Sequence, residues 1–173
     1  RSLCKLLPNQ HPLLVLVPRH PQRFNDVATL VAREGLSLKR RSEALPDPAT
    51  DVWLGDSMGE MVAYYNLADV AVIGGTLLPF GGQNLIEAAA CGTPLIIGPH
   101  TYNFSAAANA AEQTGAAIRI NAGSSEALAQ ALRNLIVDPA QHLAAQRATA
   151  QFVSTATGAT GKLLTLIAQY DQA

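Results

Sequence analysis

Short apolar runs that alternate with amphipathic stretches predict a doubly wound α/β fold, with a parallel sheet of about six strands and helices on both faces. Two further observations support this. The run Leu13 to Val17 is continuously aliphatic, the pattern of a strand buried on both faces rather than one. Hydrophobic residues make up 49% of the 173-residue chain and charged residues only 14%, a balance that suits a covered sheet and opposes disorder.

The elements follow in order. After the first strand, residues 22–34 place Phe24, Val27, Leu30 and Val31 on one helical face. Leu36 to Arg40 alternates weakly as another strand, and residues 42–50, with Pro46 and Pro48, read as a surface loop. Asp51 to Gly55 is a short strand and Met58 to Leu67 a helix. The second half repeats the pattern more clearly. Val70 to Ile73 precedes a helix near Gln83–Cys91, Leu95 to Ile97 precedes a helix near Ser105–Thr114, and Ala116 to Ile120 is the last strand. Ser124 to Val137 aligns Leu128, Ala131, Leu132, Leu135 and Ile136 on one face until Asp138-Pro139 breaks it. Further helical patterning ends with Leu163, Leu166, Ile167 and Tyr170 aligned. No repeat or linker interrupts the chain, so residues 1–173 read as a single domain.

Composition narrows the function classes. The net charge is −1, without a basic block, which opposes nucleic-acid binding. No apolar run approaches the ~20 residues that cross a bilayer, and Arg1 and Lys5 flank no signal-peptide core. Cys4 and Cys91 lack C-x-x-C spacing and, with the few histidines, make no metal signature; they read as free thiols of a reducing compartment. The chain does not start with methionine and reads as a piece of a longer protein.

Ligands of such sheets bind beyond the carboxyl ends of the strands. Four segments in that position stand out. In Pro18-Arg19-His20-Pro21, a guanidinium suited to phosphate or carboxylate follows an aliphatic strand, although a solvated turn explains it as well. His20 can equally be a packed or capping group. In Gly55-Asp56-Ser57-Met58-Gly59-Glu60, Ser57 and Glu60 have capping-box spacing, which favours a helix-end role, while Met58 and Gly59 can form a wall against a base. The segment Gly74 to Glu87 carries the strongest signal. Gly74-Gly75 ends a strand and Gly81-Gly82 is expected to open a helix, whose amides would meet an anion. Asn84 and Glu87 share the first-turn face, where a carboxylate can accept paired ribose hydroxyls. No G-K-[ST] or G-x-G-x-x-G is present. In Gly98 to Phe104, His100, Thr101 and Asn103 either reach a ligand or, for the latter two, cap the following helix.

These motifs, P-R-H-P, G-D-S-M-G-E, G-G-T-L-L-P-F-G-G-Q-N-L-I-E and G-P-H-T-Y-N-F in this order, resemble the C-terminal domain of the Kdo transferases. The resemblance covers essentially the whole chain and is dense from Leu13 to Ile120. It implies a GT-B enzyme of two Rossmann-like domains that transfers 3-deoxy-D-manno-octulosonic acid (Kdo) from CMP-Kdo to a lipid A precursor in lipopolysaccharide synthesis. By position, it implies donor contacts at Arg19, His20, Met58, Gly59, Glu60, Gly75, Gly81, Gly82, Gln83, Asn84 and Glu87, with His100 and Asn103 as further candidates. No cofactor or metal is implied. The general base and acceptor site are expected in an N-terminal domain, so this fragment alone should be inactive. The full-length protein is expected to contact the cytoplasmic side of the bacterial inner membrane. Gln83 stands where the family usually has His, and Ala88 where it usually has Pro. Two other readings remain at this point: a donor domain for a UDP- or GDP-sugar, and a non-catalytic nucleotide-binding module.

Overall fold

The structure, a computed structural model, describes residues 2–121 and 124–156; the aligned Leu163, Leu166, Ile167 and Tyr170 lie outside the described residues. The chain divides into two compact units, one ending at Tyr64 and one beginning at Tyr65.

The first unit holds α1 (Ser2–Leu6), β1 (Leu14–Leu16), a 3-10 turn (Pro21–Arg23), α2 (Phe24–Arg33), β2 (Leu38–Arg40) and β3 (Val52–Leu54). The strands are parallel in the order β1-β3-β2, with Leu16, Leu54 and Arg40 level across the sheet. Central β3 is fully buried, whereas Leu14 on β1 is 50% exposed. The expectation that Leu13–Val17 is covered on both faces is therefore corrected: α2 packs over β2 and β3, and β1 is an edge strand. Leu30 is also corrected, at 58% exposed. The stripe of α2 that turns inward runs through Phe24, Val27, Ala28 and Val31, and Leu30 falls outside that spacing.

Side chains pin this unit at the amino ends of its strands. The Ser37 amide and hydroxyl donate to Asp51 Oδ2 at 2.7 and 2.9 Å, and His11 Nε2 lies 2.8 Å from Oδ1. The predicted loop 42–50 is tied down as well. Asp47 accepts from Lys39 Nζ at 2.6 Å and from the Thr50 hydroxyl and Ala49 amide, and the Trp53 indole donates to the Ala44 carbonyl. The helix α3 (Met61–Leu67) begins later than its sequence pattern suggests, and it places Tyr64 edge-on against Trp53 at 5.7 Å.

The second unit holds β4 (Ala71–Val72), α4 (Ile86–Ala90), β5 (Leu95–Ile97), α5 (Ser105–Thr114), β6 (Ala117–Arg119), α6 (Ser125–Val137) and α7 (Pro139–Ala156). Its strands are parallel in the order β4-β5-β6. Thus the six strands expected from the sequence form, and hydrogen bonding groups them as two sets of three. Alternation along β5 explains the two-sided covering. Leu95 and Ile97 join Leu85, Ala88, Ala108, Ala111 and Phe152 in one cluster, while Ile96 joins Ile120, Ala131, Leu135 and Ala145 in another. Ala108 and Ala111 are completely buried, and such small side chains let a helix lie close on a neighbour.

The helix boundaries have local causes. Ser124 Oγ accepts from the Ala127 amide at the start of α6. Asp138 Oδ1 accepts from Ala140 and Gln141 at the start of α7, where Pro139 has no N–H that would need an acceptor. Gly115 ends α5 with φ 81°, the left-handed conformation that glycine adopts without strain.

Two predictions test this account. Leu54→Ala should cost about 3 kcal/mol of unfolding free energy, because it empties the centre of a packed sheet, whereas Leu30→Ala should cost less than about 0.5 kcal/mol. Equal losses in urea denaturation would contradict the burial described here. The second concerns acid. Hydrogen bonds from Lys39 and Thr50 lower the Asp47 pKa to about 2, and the Ser37 amide and hydroxyl lower that of Asp51. Folded values below the unfolded ones contribute stability that is present above about pH 4 and lost as pH falls toward the folded values. The urea midpoint should therefore fall between about pH 4 and pH 2, and Asp47→Asn should flatten that slope. An unchanged slope would rule out Asp47 as a contributor.

Candidate functional site

In the first unit, the carboxyl edge of the sheet gathers polar groups from all three strands. Arg19 and His20, beyond β1, are exposed. The His20 carbonyl accepts the Arg23 amide at 2.9 Å to open the 3-10 turn, and its imidazole makes no capping bond. Gly55 follows β3, where a Cβ would meet the Tyr64 ring at 2.9 Å. Asp56, with only 5% of its side chain exposed, accepts the Ser42 amide and hydroxyl at 2.9 and 2.7 Å and faces Arg40 at 3.6 Å. Burial alone would raise its pKa, but the Ser42 bonds and the Arg40 charge hold it below the usual carboxylate value.

Ser57 and Glu60 do not form the expected capping box. The Ser57 hydroxyl donates to Glu60 Oε2, and Arg41 Nη2 donates to Glu60 Oε1 at 3.0 Å. The Ser57 bond first, and then the Arg41 charge against some desolvation, keep the Glu60 carboxyl below its ordinary pKa. The two side chains thus serve a charged cluster, since α3 starts only at Met61. Met58 is 64% exposed, and Gly59 has φ +81° with open space around it. Its glycine is required by backbone conformation rather than by a close neighbour. Arg40 and Arg41 were not singled out in the sequence. Their position at the carboxyl end of a strand, Arg40 closing it and Arg41 following, was the available signal.

In the second unit, two loops beyond β4 and β5 are stitched together. The Thr76 hydroxyl donates to the Ile73 carbonyl at 2.6 Å and accepts the Gly98 amide at 2.9 Å, while its carbonyl accepts the His100 amide at 3.0 Å. Gly75, with φ 74°, accepts the Gly82 amide at 3.0 Å and closes the first loop. The second loop grips the first through three carbonyls. Tyr102 Oη donates to Pro79 O at 2.6 Å, Asn103 Nδ2 to Phe80 O at 3.2 Å, and the Asn103 amide to Gly81 O at 3.1 Å. Gly81 and Gly82 have φ of 84° and 86°, and a Cβ on Gly81 would stand 2.4 Å from the Tyr102 ring.

The glycine-rich segment is therefore built differently from its sequence expectation. The glycine pair does not open a helix: α4 has five residues and starts at Ile86. The Gly82 amide is committed to Gly75, and the Ile86 amide donates to Asn84 Oδ1 at 3.0 Å. A turn of fixed conformation, rather than a row of helix-end amides, occupies this place. The Asn84–Glu87 juxtaposition holds: Asn84 Nδ2 donates to Glu87 Oε1 at 3.0 Å, and Glu87 is exposed. Gln83 is partly buried beside Gly74. Thr101 and Asn103 do not cap α5, whose N-cap is Phe104 without a side-chain bond. Asn103 braces the glycine turn instead, and buried Thr101 accepts from Arg119, a residue the sequence reading passed over.

Chemically, the second unit presents an exposed carboxylate oriented by an amide at the lip of a braced turn. That arrangement can accept hydrogen bonds from vicinal hydroxyls. Among the described residues, no cluster of His, Cys, Asp and Glu is arranged to hold a metal ion. A shallow depression along α4 and α7, lined by Ala89, Gly92, Ala150 and Val153 among others, has no ionisable lining group. Cys4 and Cys91 are not joined in a disulfide.

Comparisons with known proteins agree with this architecture. The family of glycosyl transferases group 1 matches residues 9–152. The chain is 47% identical over 155 residues to the 3-deoxy-D-manno-octulosonic acid transferase of Bordetella pertussis, covering 88% of this chain and 36% of that protein. It is 37% identical over 171 residues to the Haemophilus influenzae enzyme of the same name, covering 98% of this chain and 39% of that protein. This chain thus spans well under half the length of these relatives. Among solved structures, it is similar to the C-terminal CMP-Kdo binding domain of WaaA from Acinetobacter baumannii. That match has a TM-score of 0.80 at 26% identity and covers 88% of this chain and 79% of the other. The parallel α/β architecture, the loops at the strand ends and the family match over residues 9–152 together show that the chain belongs to the group 1 glycosyl transferases.

Proposed function

We propose that this chain binds the nucleotide-sugar donor CMP-Kdo for a transferase that moves Kdo onto a lipid A precursor. The observation that carries the reading is the Asn84–Glu87 pair beside the braced Gly81-Gly82 turn. The ribose of CMP offers two neighbouring hydroxyls, and Glu87 is the exposed acceptor suited to them. The similarity to a CMP-Kdo binding domain and to Kdo transferases supports the choice of donor.

In this reading, Gly75, Gly81, Gly82, Gln83 and Asn84 shape the phosphate end, Glu87 takes the ribose, and His100 and Asn103 support the turn. In the first unit, Arg19 and His20 are proposed to meet anionic oxygens of the donor, and Met58, Gly59 and Glu60 to meet the nucleotide. The reaction is displacement at the anomeric carbon of Kdo with CMP leaving. Negative charge grows on the departing phosphate, where a guanidinium is most useful in the transition state. Glu60 is held by Ser57 and Arg41, and Glu87 by Asn84. Neither is assigned as the general base, which we place with the acceptor site in the part of the relatives that this chain does not span. No described helix is long and apolar enough to cross a membrane. Contact with the inner membrane from its cytoplasmic side is proposed for the longer protein, through its lipid acceptor.

Titration of the chain with CMP, UMP and GMP, followed by backbone NMR, tests the donor. CMP should bind most tightly and shift the amides of Arg19, Met58–Glu60 and Gly81–Glu87. Tighter binding of UMP or GMP would replace CMP-Kdo with another sugar nucleotide. Glu87→Ala should weaken CMP about tenfold or more, as expected for hydrogen bonds to a charged acceptor. Its thermal midpoint should stay unchanged, since the side chain is exposed. Undiminished affinity in this variant would remove Glu87 from the site.

A further inference from the structure

Arg119 closes β6 level with Ile97 on β5, and only 15% of its side chain is exposed. A guanidinium so covered must find acceptors for its donors, and the structure supplies them from two directions. On the helix side, Nε donates to Glu112 Oε2 at 2.7 Å and Nη2 to Asn109 Oδ1 at 3.0 Å, both on α5. On the loop side, Nη1 donates to the Gly98 carbonyl at 3.3 Å and to Thr101 Oγ1 at 3.1 Å. The planar fork spans α5 and the loop that leaves β5. A lysine ammonium, a single point of charge, has no such reach in two directions.

The loop held by Arg119 is the one that grips the glycine turn. Thr101 is followed by Tyr102 and Asn103, whose groups hold the carbonyls of Pro79, Phe80 and Gly81. Gly81 has a Cβ position only 2.4 Å from the Tyr102 ring and 2.5 Å from Asn103 Nδ2, so the two loops are in tight register. A shift at Thr101 must therefore be taken up at Gly81, because interlocked groups without spare volume transmit displacement.

We propose that Arg119 is a positioning residue for the phosphate end of the donor site, acting through Thr101, Tyr102 and Asn103 on the Gly81-Gly82 turn. The proposal rests on the donor reading given above, and its test separates the two. A tie that served only the α5–β6 junction would affect stability and would change all nucleotide binding alike. A positioning role affects the phosphate selectively.

The experiment compares CMP with cytidine, which differ by the phosphate, in NMR titrations of the full 173-residue chain. Arg119→Lys keeps the charge and removes the fork, and Thr101→Val removes the hydroxyl acceptor at nearly constant volume. Each variant should weaken CMP by about fivefold to tenfold, in line with the sensitivity of bound geometry to small misplacement. Cytidine affinity should stay within about twofold of the parent, since Glu87 lies on α4 and is oriented by Asn84 rather than by Thr101, Tyr102 or Asn103. The Gly81 and Gly82 amide resonances should move in the unliganded variants. If both ligands weaken together, or if CMP binding is unchanged in both variants, Arg119 is not a positioning residue. If the parent chain itself fails to prefer CMP over cytidine, the assignment of the glycine turn to a phosphate fails, and this proposal fails with it.

Discussion

The candidate site of the second unit depends on one contact, between Thr76 and Gly98. A completely buried hydroxyl accepts the Gly98 amide and donates to the Ile73 carbonyl, while the Thr76 carbonyl accepts the His100 amide. The approach is so close that a Cβ on residue 98 would lie 2.2 Å from Thr76 O. No side chain larger than hydrogen fits there without moving backbone. This contact fixes where the chain leaves β4 and β5, and hence where Gly81, His100 and Asn103 stand. The apolar clusters on either face of β5 set the strand positions, and Thr76 converts them into a defined loop geometry.

The first unit solves a comparable problem with charge. Its central strand is apolar throughout, yet the carboxyl end of its sheet carries Arg40, which closes β2, and beyond the strands Arg41, Asp56 and Glu60. Asp56 is nearly buried, and its ionised form is kept by Ser42 donors and by Arg40. Replacing one partner of such a group would leave a covered charge without compensation, whereas the half-exposed Arg41–Glu60 pair is partly screened by water and contributes less to stability. The Arg41–Glu60 pair is thus better understood as holding two side chains in one orientation than as a source of stability. Met58 and Gly59, projecting between Ser57 and Glu60, inherit their position from that small network.

Much of this was legible in the residues. The strand sequence, the helices over Ser105–Thr114 and Ser125–Val137, and the break at Asp138-Pro139 follow from periodicity and capping chemistry, which act locally. The Asn84–Glu87 contact was legible for the same reason, being a spacing of three within one turn. Failures came where tertiary neighbours decide. Leu13 and Leu14 carry a buried-strand pattern, but the covering helix lies over the other two strands. Ser57 and Glu60 have the spacing of a capping box, but Arg41, distant in sequence, competes for the carboxylate. Asn103 resembles a helix cap, but the Phe80 carbonyl offers its amide another partner. Arg119 gave no signal, because its place is defined by four acceptors on α5 and on the loop that precedes it, 7 to 21 residues away in sequence.

The largest revision concerns how a phosphate would be held. Glycine pairs before a helix suggest amides aligned with a helix dipole. Here α4 is only five residues long, and the amides of Gly82 and Ile86 are already engaged by Gly75 and Asn84. The glycines serve conformation instead: Gly75, Gly81 and Gly82 each take a positive φ, and Gly81 leaves room for Tyr102 and Asn103. A turn made this way is rigid because three carbonyls are held from the neighbouring loop, and its geometry is then only as good as that loop's own anchorage. The loop is anchored by Thr76, which holds Gly98 and His100, and by Arg119, which holds Gly98 and Thr101. Electrostatic stabilisation of a leaving group depends on donors that are already in place before charge develops. Under the proposed donor reading, that preorganisation would fall to side chains remote from the ligand, with the arginine at the end of β6 acting only through the loop it holds.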